Sequence, residues 1–282
     1  NTTTTTTTMV INGATTDDGN NIPVIKHKCV SDVQFGHHQV ITDLQWLPGI
    51  EITARGKANR FPGDSGRKEC DFFATVAVDG KVLFWDVRVE RLLKRGRRHE
   101  ELADLVWKPT HMIHLVSLIG LDLGGTRFCL DPVALESRPI IVGSFDGEIT
   151  ISDCFRMGDE ETPDFIHSSI QSHVGPIVSL ERSPFFEDIL LTVGDWTFQI
   201  WKQGLSAPLF HSRYSSEYYT VGCWSPTRAG VIYLATMSGR LEVWDLLDRS
   251  HEPSIGATLS AASIMSMRFN TAILSGGMGR GG

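Results

Sequence analysis

Four times along the chain, a small acidic or hydroxyl residue and a turn are followed by alternating apolar residues and a closing aromatic, usually with Asp beside it. The copies are Asp79-Gly80-Lys81-Val82-Leu83-Phe84-Trp85-Asp86, Asp146-Gly147-Glu148-Ile149-Thr150-Ile151-Ser152-Asp153, Asp195-Trp196-Thr197-Phe198-Gln199-Ile200-Trp201 and Ser238-Gly239-Arg240-Leu241-Glu242-Val243-Trp244-Asp245. Alternation of period two presents every second side chain to one sheet face, so each copy predicts the closing strand of a β-hairpin. Asp-Gly and Ser-Gly supply the positive φ that tight two-residue hairpin loops need. Two copies depart from the pattern. Asp195-Trp196 lacks the Gly and must turn another way, and Ser152 replaces the Trp that would pack between sheets.

Six positions separate the first residue of each copy from its Trp or Ser152, and the closing positions fall 67, 49 and 43 residues apart. Recurrence at roughly 40 to 45 residues is the period of a propeller blade. A second signal precedes each copy: Trp46-Leu47-Pro48, Trp107-Lys108-Pro109, Arg182-Ser183-Pro184 and Trp224-Ser225-Pro226 each follow an apolar run. Proline removes a backbone donor, so a strand should stop there, and each run reads as an earlier strand of the same blade. A fifth start stands at Ala262–Phe269 without a closing phrase. The expectation is an all-β WD-repeat-type propeller over 30–274, with four to five blades visible. A low-complexity, disordered or extended segment at 1–29 precedes it, and a Gly-rich tail at 275–282 follows. Because an open ring would expose strand edges, the chain is expected to be a segment of a longer protein or to obtain its remaining blades elsewhere.

Composition narrows the function classes. No apolar run approaches the ~18 residues of a membrane span, and Met112–Gly120, the most apolar stretch, suits a buried strand. The formal charge of -7 speaks against general nucleic-acid binding. Five cysteines, at 29, 70, 129, 154 and 223, include no CxxC pair, which favours reduced thiols over disulfides or a zinc site. There is no GxSxG, P-loop or HExxH, and neither His37-His38 nor His111 with His114 has a carboxylate at metal-ligand spacing, so no catalytic residue, metal or cofactor is expected. One basic run stands out, Arg91, Lys94, Arg95, Arg97 and Arg98, on a connector between blades. It reads either as a solvated loop or as a docking patch for an acidic partner. Arg55–Lys68 reads as a mobile basic loop.

His173-Val174-Gly175-Pro176 resembles the Gly-His element of WD repeats, where the imidazole is a structural hydrogen-bond partner within the blade. His38 could fill the same place in the first blade. Gly175–Trp201, with Asp195-Trp196 in place of Asp-Gly, resembles the WD-repeat region of axonemal dynein intermediate chains. So does Gly222-Cys223-Trp224-Ser225-Pro226-Thr227-Arg228, continued by Val243–Ser254. Thr42–Pro48 and Leu246–Pro253 are most similar to the inner-arm type. The resemblance implies a non-catalytic subunit whose propeller, of seven blades in that family, grips the dynein heavy-chain tail and helps anchor the motor on the axonemal doublet microtubule. It further implies a second intermediate chain and light chains as partners, no nucleic acid or membrane, and a ciliary or flagellar axonemal location reached from the cytoplasm. Asp79, Trp85, Asp146, His173, Asp195, Trp196, Trp201, Trp224, Trp244 and Asp245 are then expected to be structural blade positions. Tyr214, Tyr218, Tyr219, Arg228 and the basic run are the expected partner contacts. A WD-repeat scaffold of another ciliary or cytoplasmic complex, including outer-arm or cytoplasmic dynein, is the rival reading, and a propeller enzyme would require convergent carboxylates or histidines.

Overall fold

The computed structural model describes residues 8–15, 24–53, 58–60, 70–88, 106–116, 121–131, 139–152 and 166–270, and every regular element among them is a strand or a single bridge. The chain divides into two compact units. One comprises Asn1–Gly125, Leu130–Ile140 and Ile151–His167; the other comprises Thr126–Cys129, Ile141–Thr150 and Ser168–Gly282.

In the first unit, β1 (Thr8–Thr15) and β2 (Val24–Ser31) form an antiparallel hairpin, and β8 (Val106–Trp107) pairs parallel with β2. Part of the stretch expected to be low-complexity or extended is therefore sheet. The first blade is β3 (Ile41–Leu47), β6 (Phe72–Ala77), β7 (Lys81–Asp86) and β9 (His111–His114), antiparallel in that order. A short hairpin of β4 (Ile50–Ile52) and β5 (Ala58–Arg60) follows β3. Strand β3 stops at Leu47, before Pro48, as a chain lacking the next donor must. The Trp107-Lys108-Pro109 run behaves differently. It carries the same stop signal, but its strand β8 pairs with β2 and not with the second blade, and Pro109 precedes β9, the outer strand of the first blade. Trp107 instead seals that blade: its ring packs tilted against Trp85 with centroids 4.8 Å apart, lies against Phe73, and its indole N–H donates to Asp86 O.

Three further four-stranded sheets make the second unit, apart from the margins of the first of them. They are β10 (Gly125–Cys129), β11 (Ile140–Ser144), β12 (Glu148–Ser152) and β13 (Ile166–Gln171); β14 (Ile177–Arg182), β15 (Ile189–Gly194), β16 (Thr197–Lys202) and β17 (Phe210–His211); and β18 (Tyr219–Trp224), β19 (Val231–Thr236), β20 (Arg240–Asp245) and β21 (Ile255–Thr258). The second strands Phe72–Ala77 and Ile140–Ser144 are buried along their whole length, and β15 and β19 at all but one residue each, because apolar side chains stand on both faces. Neighbouring sheets meet through a core of Leu191, Val193, Phe198, Trp224, Ile232, Leu234 and Trp244, with Phe198 edge-on to Trp244 at 5.0 Å. Each side chain so buried contributes about 1.5–3 kcal/mol. This arrangement is a segment of WD-repeat β-propeller.

The hairpin loops differ from the expected two-residue form. Val78-Asp79-Gly80, Phe145-Asp146-Gly147 and Met237-Ser238-Gly239 are three-residue loops whose Gly alone has positive φ, at 71°, 80° and 81°. The two-residue loop belongs to the copy without glycine, where Gly194 pairs with Thr197 and Asp195 itself takes a φ of 55°. At Ala262–Phe269 no strand forms, although the segment lies along the last sheet: Thr220 Oγ1 donates to Ile264 O at 2.6 Å and Phe269 packs edge-on to Tyr233.

Candidate functional site

A buried polar relay crosses two of the blades. In the first, Trp85 Nε1 donates to Thr75 Oγ1 at 2.9 Å, Thr75 Oγ1 lies 2.8 Å from His37 Nε2, and His37 Nδ1 lies 3.1 Å from Asp79 Oδ1. The donors fit one direction: indole N–H to hydroxyl, hydroxyl to imidazole, imidazole N–H to carboxylate. His37, and not the expected His38, holds this place; His38 gives Asp79 its backbone N–H at 2.9 Å. Burial alone would push the Asp79 carboxyl up, but the bonds from His37 and the His38 amide bring it below the ordinary range.

In the third blade, Trp201 Nε1 and His173 Nε2 meet Thr192 Oγ1 at 3.1 and 3.0 Å, and His173 Nδ1 meets Thr197 Oγ1 at 3.1 Å. Asp195 sits one loop residue earlier than its counterpart and takes the Val174 and Gly175 amides, at 2.8 and 2.9 Å, instead of the imidazole. With no carboxylate on the ring, burial depresses His173 to about 4. Thr75 and Thr192 were not singled out in the sequence. Their signal is a lone Thr inside an otherwise apolar second strand, Phe-Phe-Ala-Thr and Ile-Leu-Leu-Thr.

The other two blades lose the relay. Ser152 is buried in place of the Trp, and Ser144 Oγ accepts the Glu148 amide at 2.9 Å across the Asp146 turn. In the last blade Ser238 replaces Asp and donates to Glu217, while Trp244 Nε1 and Tyr219 OH both donate to Glu242 Oε2, at 3.2 and 3.0 Å. Asp245 Oδ2 receives the Arg228 guanidinium at 2.8 Å.

These networks rigidify the blade ends that carry the loops. The chain leaving each outer strand caps the hairpin carbonyl: Leu115 N donates to Gly80 O, His173 N to Gly147 O, and Leu259 N to Gly239 O. In the third blade Ser215 N caps Trp196 O, and Tyr219 N bonds Asp195 O. At these loop tips of the second unit, Phe145, Val174, Trp196, Tyr214 and Met237 are exposed, and Trp196 stands edge-on to half-buried Tyr218 at 5.5 Å.

Not every expected contact residue lies here. Trp196 was expected to pack within the blade framework, yet it is 44% exposed because a two-residue loop leaves its second side chain pointing off the sheet end. Tyr219 was expected on the surface and is 1% exposed, since it begins β18 and its hydroxyl is consumed by Glu242. Burial, followed by the Glu242 charge, drives its phenol well above the usual range. Arg228 sits in the β18–β19 turn, at the opposite end of its blade from Met237, so the structure does not bring it together with Tyr214 and Tyr218. Trp224 is buried and donates its indole N–H to Glu181 O of the preceding sheet. Arg91, Lys94, Arg95, Arg97 and Arg98 lie outside the described residues. Cys70, Cys129 and Cys223 are free thiols; burial, reinforced by the Glu181 charge, pushes Cys223 up to about 12. Among the described residues no group of three or more His, Cys, Asp and Glu is placed to hold a metal ion.

The family model described as "Dynein axonemal intermediate chain 3 WD40 domain" matches residues 1–123 and 125–274. A human protein named dynein axonemal intermediate chain 3 is 30% identical over 292 residues, covering 82% of this chain and 32% of its own length. Its Danio rerio namesake is 28% identical, covering 88% of this chain and 31% of the relative. The 70 kDa intermediate chain of the flagellar outer arm dynein of Chlamydomonas reinhardtii is 30% identical, covering 81% and 34% respectively. The chain thus spans about a third of the length of these relatives.

Proposed function

Because the chain belongs to the axonemal dynein intermediate chain family, as its WD-repeat domain, we propose that it is a non-catalytic docking unit that grips the heavy-chain tail of an inner-arm dynein. A second intermediate chain and light chains complete the assembly, and through it the motor is anchored on the doublet microtubule. Its setting is the axoneme of a cilium or flagellum, the location its relatives' names give. The observation that carries the docking role is the exposed Trp196 and Tyr214, with half-buried Tyr218 beside Trp196, on loop tips pinned from below by the Thr192 and Asp195 networks. Exposed Trp and Tyr on a rigid base anchor protein interfaces at low entropic cost. Blade sheets provide that rigidity, while the loops vary freely.

Arm type is supported by the likeness of Thr42–Pro48 and Leu246–Pro253 to inner-arm chains. The outer-arm reading has its own support in the Chlamydomonas relative, named for the outer arm. The test is sucrose-gradient sedimentation of high-salt axonemal extracts carrying the tagged full-length protein. Co-migration with an inner-arm heavy chain, lost in a Trp196→Ala/Tyr214→Ala variant that still folds, is the expected result. Migration with outer-arm heavy chains would overturn the arm assignment, and migration free of any heavy chain would overturn the docking role.

A further inference from the structure

The connection from β17 to β18 carries two adjacent serines of unlike standing. Residues 212–215 take no regular structure, and a bend follows at Ser216 and Glu217. Ser215 is engaged twice: its backbone N–H donates to Trp196 O at 2.8 Å, and its Oγ accepts the Glu217 amide at 3.2 Å. Ser216 is exposed, and among the described residues its hydroxyl has no hydrogen-bond partner. The segment is pinned on either side, by Ser212 Oγ, which accepts the Phe198 amide at 2.9 Å, and by Glu217, which accepts from Ser238. A free hydroxyl thus stands on a bend whose flanks are fixed.

Three positions earlier, Arg213 is exposed, and its guanidinium enters no hydrogen bond or ion pair among the described residues. Arg-x-x-Ser or Arg-x-x-Thr occurs twice in the chain, at Arg213-Tyr214-Ser215-Ser216 and at Arg268-Phe269-Asn270-Thr271, and Thr271 lies outside the described residues. An unpaired guanidinium three residues ahead of a free hydroxyl is what the acidic subsite of an arginine-directed protein kinase reads, since a carboxylate there takes the fork bidentately. The surroundings decide where an added phosphate goes. Ser216 shares a cleft with Glu217, Glu242 and Glu252, and Glu242 already faces Arg240. The Ser238 and Thr236 hydroxyls hold Glu217 below its usual range, so it is charged. Like charges inside the cleft repel a dianion, which is left on the outer side between Tyr214 and Tyr218.

We propose that Ser216 is a phosphorylation site for an arginine-directed kinase, and that the phosphate opposes docking at the tip formed by Trp196, Tyr214 and Tyr218. The γ-phosphoryl group of ATP passes to Ser216 Oγ. The bond from the γ-phosphorus to the oxygen bridging it to the β-phosphorus breaks, the bond from Oγ to phosphorus forms, ADP leaves, and the hydroxyl proton passes to the kinase's catalytic carboxylate. The product carries a charge of about -2 at neutral pH. Burying it in an aromatic interface costs its hydration, and Glu217 beside it adds like-charge repulsion. The effect on docking rests on the docking role above; the site itself does not.

The test incubates the folded chain with calcium/calmodulin-dependent kinase II, calcium-loaded calmodulin and ATP, beside a synthetic peptide of residues 208–221, and maps phosphate by tandem mass spectrometry. Phosphate should appear on Ser216 and not on Ser215. Arg213→Gln should lower kcat/KM at Ser216 at least about tenfold, the value of one charge-assisted contact, with part of the loss restored by Arg213→Lys and none seen in Lys202→Gln. Ser216 left empty in the folded chain, whether or not the peptide is filled, phosphate on Ser215 instead, or an Arg213→Gln rate equal to the unaltered chain would overturn the site. Docking is read separately on the tagged full-length protein in the axonemal gradients. Ser216→Ala should stay with the heavy chain, and Ser216→Glu should leave a severalfold larger share unbound; equal partition of the two would overturn the switch. The kinase assay contains no dynein heavy chain, so migration free of any heavy chain in every variant would overturn the docking role, and with it the switch, while the Ser216 site stands.

Discussion

Thr192 carries more of the third blade's local order than its size suggests, because one hydroxyl serves both Trp201 and His173. Thr192→Val keeps the shape but leaves two buried polar groups unpaired, a cost of about 2–4 kcal/mol, to be read as a lower urea midpoint with unchanged m. His173 adds a pH signature. Its folded value of about 4 lies below the ordinary 6.5, so the unfolded chain binds the extra proton between those values. Stability from this group is therefore full above pH 6.5 and lost as pH falls toward 4, by about 3 kcal/mol in all. Urea titrations across that window should show the slope, and His173→Gln should remove its share. The Trp, His and Asp positions of the relay were legible as residue types. Which histidine serves, and that a threonine joins them, follow from contacts between segments about 40 residues apart, as in His37 and Thr75, which no local pattern encodes.

At the scale of the element, the hairpin is closed by backbone as much as by side chains. Gly147 and Gly239 both have positive φ and almost no room for a Cβ, which would strike the His173 and Ser260 carbonyls respectively. Gly147→Ala should cost at least about 2 kcal/mol, from left-handed strain and displacement of the capping segment. Gly49→Ala pays the strain alone, having nothing within 4 Å, and should cost less. Measured side by side by denaturant unfolding, equal losses would refute the crowding argument. The same bonds explain where strand assignment from sequence succeeds and fails. Stops at Pro48, Pro184 and Pro226 were readable because proline acts locally. That Trp107 belongs with β2 was not, since pairing is decided by which edge is free and within reach.

Across the described residues, threonine hydroxyls tie three of the four first strands to the segment that follows, Thr42 Oγ1 to Gly125 O at 2.8 Å, Thr126 Oγ1 to Ile177 O at 2.7 Å and Thr220 Oγ1 to Ile264 O, while in β14 Ser179 Oγ accepts the Gly222 amide at 2.9 Å. Ile264 thus stands where an inner strand would begin, although no strand forms there. Removing the indole that reaches between sheets, Trp224→Ala, should cost about 3–5 kcal/mol, like other large aromatic truncations. A loss confined to the sheets around Trp224, read by hydrogen exchange, is the expected pattern; protection unchanged throughout would refute it. The sequence by itself determined the repeat, the all-β class and the family, because alternation, glycine turns and proline stops are properties of a few consecutive residues and recur with the blade. Only the tertiary structure decided that Tyr219 is core and Trp196 surface, that Arg228 is remote from Tyr214, and that buried Glu242 takes the Tyr219 hydroxyl and the Trp244 indole. Burial and proximity are set by which sheets meet, and residues far apart in the chain settle that together.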